Sequence, residues 1–152
     1  RGVNQAGDAG LVVVVAAGNN GPAPLSVTTP GISRKVITVG CSDDHMEVIV
    51  GKNRMVDYSG RGPTMAAVCK PDLVAPGCSV ASCAGSRDQY AVKSGTSMST
   101  PIVSGAIALL LEKYPDMTNR DVKLRLMETC RDMGLPKNQQ GWGLLDVGRL
   151  LR

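Results

Sequence analysis

One stretch, residues 96–112 (TSMSTPIVSGAIALLLE), constrains the fold of this chain most. From Ile102 to Leu111 it is apolar nearly all round, the pattern of a helix buried within a core rather than laid on its surface. Pro101 is expected in the first turn, where a missing N–H costs nothing. Gly105 and Ala106 suit close packing against a sheet, and Lys113-Tyr114-Pro115 ends the segment. Its counterpart is residues 11–16 (LVVVVA), a β-branched run without polar alternation. Such a run predicts a strand buried on both faces, as in a parallel sheet. Together they point to the α/β class.

The rest of the chain fits that class. Residues 35–40 (KVITVG) predict a second strand, and 47–50 a short third one closed by Gly51. Residues 57–72 are turn-rich. Short strands are expected at 72–75 and 79–82, either side of Pro76-Gly77, and another at 89–93. Thr118 followed by Asp121 is a capping-box pattern. It opens a helix to about Arg131, with Val122, Leu126 and Cys130 on the inner face and Gly134 and Pro136 as the stop. Residues 146–151 predict a last short helix. The opening RGVNQAGDAG reads as a helix tail entering a strand, so an N-terminal portion is expected to precede it. The expectation is one incomplete domain over 1–152.

Composition excludes several functions. The chain has 152 residues and a net charge of +4, but its Lys and Arg are scattered and no aromatic residues are interleaved with them. Nucleic acid is therefore not an expected partner. No membrane span or signal peptide is visible. The five cysteines form no C-x-x-C pair and His45 is the single histidine, which leaves too few ligands for zinc. The odd cysteine count argues against a disulfide framework and favours a cytoplasmic over a secreted origin.

Two segments carry chemistry. In Ser94-Gly95-Thr96-Ser97-Met98-Ser99-Thr100-Pro101 a serine follows a glycine turn at the start of a helix. Free N–H groups and positive potential there stabilise an oxyanion or alkoxide, and Gly95 allows close approach to the backbone. Read alone, Ser97 fits a helix cap as well as a nucleophile. The second segment, Ala16-Ala17-Gly18-Asn19-Asn20-Gly21, directly follows the buried strand. Ligand sites in open α/β sheets lie at that end of the strands. Asn19 fits a turn or a donor to developing charge.

These two segments, with Lys70-Pro71-Asp72-Leu73-Val74-Ala75-Pro76-Gly77 and Tyr58-Ser59-Gly60-Arg61-Gly62-Pro63, closely resemble the subtilisin-like serine peptidases, in family order. The resemblance implies a partial subtilisin-like fold, a mostly parallel sheet with helices on both faces and its N-terminal strands missing. It implies that Ser97 is the nucleophile and Asn19 the side-chain donor of an oxyanion hole, with the Ser97 N–H as second donor. It places Ala16, Ala17 and Gly18 in one wall of the specificity pocket and Gly95 and Thr96 beside the substrate. Met98 matches the methionine after the nucleophile, an oxidation site. Ile102 stands where many members have histidine. The resemblance allows calcium, although no EF-hand-type loop occurs.

A serine needs a base, and a histidine needs a carboxylate to orient it. The family places both before the asparagine. His45 lacks the expected H-G-T setting and is not a candidate base, and Asp72 reads as structural. The expected function is the nucleophile part of a serine endopeptidase acting on peptides or proteins, the chain alone being inactive. The alternative is a peptide-binding or scaffolding pseudopeptidase. An α/β-hydrolase reading fails because no G-x-S-x-G elbow occurs. The expected partner is the missing half of the domain, or a second copy bound through an exposed sheet edge.

Overall fold

The computed structural model describes residues 1–50, 52–85 and 88–152. Three short parallel strands form its centre: β1 (Val14–Ala16), β2 (Ile37–Cys41) and, further along, β5 (Leu73–Ala75), in the order β1-β2-β5. Val14 pairs with Ile37, and Val39 with Leu73. Two antiparallel hairpins flank the sheet. One joins β3 (Val48–Val50) to β4 (Asn53–Met55), and the other joins β6 (Val80–Cys83) to β7 (Tyr90–Lys93). The helices are α1 (Gly2–Asp8), α2 (Thr96–Lys113), α3 (Asn119–Thr129), α4 (Lys137–Gln140) and α5 (Val147–Leu150).

One face of the sheet builds the core. Ile37, Val39, Leu73 and Ala75 meet Val103, Ala106, Ile107 and Leu110 of α2, Val122 and Leu126 of α3, and Leu150 of α5. The buried residues of the cluster are all aliphatic except Cys130, with Tyr114 and Trp142 packed at its rim. On the other face, loops pack the strands. The Thr38 hydroxyl donates to the Gly31 carbonyl (2.7 Å), and Ser59 Oγ accepts the Cys41 N–H (2.9 Å).

The structure refines several sequence expectations. The 11–16 run yields a strand only at Val14–Ala16, and its residues are half-buried rather than buried on both faces. β1 is the edge of the sheet, and among the described residues no strand pairs with its other side. The α2 helix is buried on one stripe only: Thr96, Ser99, Val103, Ala106, Ile107 and Leu110. Ser104, Gly105, Ala108 and Leu109 face outward, and Leu109 is 49% exposed. Pro101 is the sixth residue of α2, one turn later than expected, because the helix already begins at Thr96.

The capping box at Thr118 and Asp121 forms in both directions, and Val122, Leu126 and Cys130 are all buried. That helix ends at Thr129, slightly before the expected Arg131. The β4 and α4 segments carry too little pattern to be read from sequence. The expected strand closure at Gly51 lies outside the described residues.

Candidate active site

The parallel strands all point their carboxyl ends at one region, and that region holds the candidate residues. Beyond β1, Ala17 still pairs with the sheet, its N–H donating to Val39 O (2.9 Å). Gly18 then turns with φ 95°, which favours glycine, and delivers Asn19. Beyond β5 the chain reaches Gly77, whose carbonyl accepts the Gly95 N–H (2.9 Å). Gly95 caps α2 with φ 137°. The loops after β1 and β5 thus meet at the amino end of an 18-residue helix.

Thr96 ties the two loops together. Its N–H and its hydroxyl both donate to Asn19 Oδ1, each at 3.0 Å, while its Oγ1 accepts the Gly18 N–H (3.2 Å). Because a backbone N–H can only donate, the asparagine oxygen is the atom facing Thr96. The Asn19 Nδ2 group is therefore left to donate elsewhere. A Cβ added at Gly95 would lie 3.2 Å from that nitrogen.

Ser97 follows at once, with its side chain exposed in the first turn of α2. The neighbouring Thr96 and Met98 N–H groups are taken by Asn19 Oδ1 and Gly95 O. Among the described residues no hydrogen bond takes the Ser97 N–H. One exposed hydroxyl, one free backbone donor and one oriented amide thus share a helix terminus, where positive potential favours an anion.

The expected lining residues divide. Ala16 and Gly18 are half-buried, whereas Ala17 is fully buried, with its N–H and carbonyl bonded to Val39 and Thr28. Thr96 is also fully buried. It orients Asn19 through its N–H and its hydroxyl. Met98, Pro101 and Ile102 line a groove of about 590 Å³ with β6 and β7, adjoining Ser97.

Sequence reasoning missed Asp43. Its Oδ1 accepts the Gly77 and Cys78 N–H groups (2.7 and 3.1 Å) and so fixes the loop beneath the start of α2. The two partners lie 34 and 35 positions away, which no local pattern reveals. His45 is exposed in the turn beyond β2, and no hydrogen bond among the described residues joins it to Ser97. Asp72 lies at the far end of the sheet, just before β5, bound to Lys70 (2.5 Å).

Among the described residues no group of three or more His, Cys, Asp or Glu is placed to hold a metal ion. The buried carboxylates are engaged by the chain's own donors: Asp72 by Lys70 and the Thr38 N–H, Asp44 by the Ser59 N–H. Among the described residues no calcium site is assembled from side chains alone, and the chemistry below uses none.

The parallel α/β sheet thus brings an exposed serine and an oriented amide to one helix terminus. The profile of the Subtilase family matches residues 2–143, and the chain belongs to that family. It is 41% identical to serine protease AprX of Bacillus subtilis over 136 residues, 81% of this chain and 31% of that protein. It is 37% identical to subtilisin DY of Bacillus licheniformis over 149 residues, 97% of this chain and 49% of that protein. A thermostable alkaline protease of Halalkalibacterium halodurans is 34% identical over 97% of this chain and 36% of its own length. The chain thus spans about a third to a half of the relatives it matches.

Proposed function

We propose that this chain is the nucleophile-bearing part of a serine endopeptidase, with Ser97 as nucleophile and Asn19 as oxyanion donor. The observation that carries this reading is the pair of hydrogen bonds that Thr96 donates to Asn19 Oδ1, which leaves the amide N–H groups free beside an exposed Ser97. Ser97 Oγ attacks the carbonyl carbon of a peptide bond and passes its proton to an imidazole. The carbonyl oxygen, now negative, takes hydrogen bonds from Asn19 Nδ2 and the Ser97 N–H. The tetrahedral intermediate collapses with loss of the amine, which recovers the proton, and water then releases the acid.

The base and the carboxylate that orients it come from outside these 152 residues, since His45 is the only histidine and is remote in role. The chain by itself is therefore inactive. A further part of the same domain supplies them and covers the free edge of β1. That edge borders a groove of about 760 Å³ lined by Leu11, Val12, Val13, Ile107, Ala108 and Leu111.

The test is peptide hydrolysis by the protein that carries this chain. Ser97→Ala abolishes it. Asn19→Ala lowers kcat about a hundredfold to a thousandfold, the magnitude established for a subtilisin's own oxyanion-hole asparagine. Peptide binding that survives without any Ser97-dependent hydrolysis would favour the pseudopeptidase reading instead.

A further inference from the structure

At the end of the sheet opposite Ser97 lies the most buried ionic cluster of the described residues. Val36 precedes β2 and Asp72 precedes β5, so the parallel strands bring both to the same end. The Lys70 side chain is 1% exposed; its Nζ donates to Asp72 Oδ2 (2.5 Å) and Val36 O (3.1 Å). Lys123, from α3, donates to Arg34 O (2.9 Å) and Val36 O (3.2 Å), and lies 3.8 Å from Asp72 Oδ1. Asp72 Oδ2 also accepts the Thr38 N–H (2.8 Å).

Two backbone carbonyls and one carboxylate lie together here, buried at Val36 O and Asp72 and reaching the surface at Arg34 O, and such oxygens are the donor set of a hard cation. Here two ammonium groups fill it. Together they carry a formal charge of +2 beside one carboxylate, the same local balance that a divalent ion would give. Burial lowers the Lys70 pKa, with Asp72 opposing that shift. The carboxylate and carbonyl facing Lys70 Nζ offset the desolvation cost of its charge.

We propose that Arg34 O, Val36 O and Asp72 form a cation site whose resident cations are the Lys70 and Lys123 ammonium groups, so that this position takes no metal until both lysines are removed. The lysines tie β2, β5 and α3 together in the manner of a structural ion. Nothing in this site involves Ser97, and it stands or falls separately from the peptidase reading.

The single tryptophan of the chain offers a reporter, because the Trp142 ring lies 6.0 Å from Lys123 Nζ. Terbium(III), which takes the same oxygen ligands as calcium, is titrated into the protein carrying this chain, with Trp142→Phe assigning the signal. The wild type is expected to give no Trp142-dependent terbium luminescence. The Lys70→Ser/Lys123→Ser variant is expected to give it strongly, with displacement by calcium and loss on adding Asp72→Asn. If the double variant is unfolded without metal, millimolar calcium is expected to restore its circular dichroism. Trp142-dependent luminescence in the wild type overturns the proposal. So does a folded double variant that gives none, or an unfolded one that calcium does not restore.

Discussion

Single residues set the chemistry through what they leave free. In the proposed mechanism Asn19 donates through Nδ2, and Thr96 orients it by occupying its oxygen. Thr96→Val removes the hydroxyl but keeps the N–H bond, so it releases one of the two holds on the amide. It is expected to lower kcat by about tenfold with KM little changed, the pattern of an interaction made in the transition state. Steady-state kinetics of the protein carrying the chain measures it, and a change in KM alone would contradict the assigned role.

The cysteines offer a second residue-scale prediction. All five are free thiols, and burial pushes the Cys41 and Cys130 thiols up to about 12. At pH 8 only about one in ten thousand of such groups is thiolate, and thiolate is the reactive form. Iodoacetamide should therefore modify the exposed Cys69 and Cys83 while sparing Cys41 and Cys130 until the protein unfolds. Peptide mass mapping reads this directly.

Asp44 gives a pH prediction. Burial raises its pKa from 3.8, with the Ser59 N–H and Arg61 opposing. The folded state thus holds the proton to higher pH than the unfolded one. Stability falls as pH rises from about 3.8 through the folded value, and is level above it. Asp44→Asn removes that segment of the curve, which urea melts across the acid range would show.

At the scale of elements, the α2 helix shows what was legible. Its existence, its start beside Ser97 and its end at Lys113 follow from the apolar run and the flanking Gly95 and Pro115. Its exposed outer face was not legible, because an all-round apolar pattern does not say which neighbours are present. The α3 helix was readable in detail, since a capping box is a local device confined to residues 118–121. Thr118→Ala should cost about 1 kcal/mol, a drop of about 2–4 °C in Tm for a chain of this size. The Asn19–Thr96 bond was not readable, since its partners are 77 positions apart. The motifs named the site residues, but only the fold separates Thr96, which orients, from Ser97, which faces solvent.

At the scale of the whole molecule, the notable features are an unpaired parallel edge at β1 and an apolar outer face on α2. Parallel sheets normally have both faces and most edges covered. In the proposed reading, the further part of the domain that supplies the base also covers this surface. The comparison with relatives two to three times longer is in keeping with this.

Labelling with a fluorophosphonate, which reacts only with an activated serine, tests that account most directly. It is applied to residues 1–152 alone and to the whole protein that carries them, each with its Ser97→Ala control. The expected result is labelling of the whole protein at Ser97, lost in the variant, and none of the isolated chain. Strong Ser97-dependent labelling of the isolated chain would show that a base lies within it, and a whole protein unlabelled at Ser97 would show that this serine is not a nucleophile.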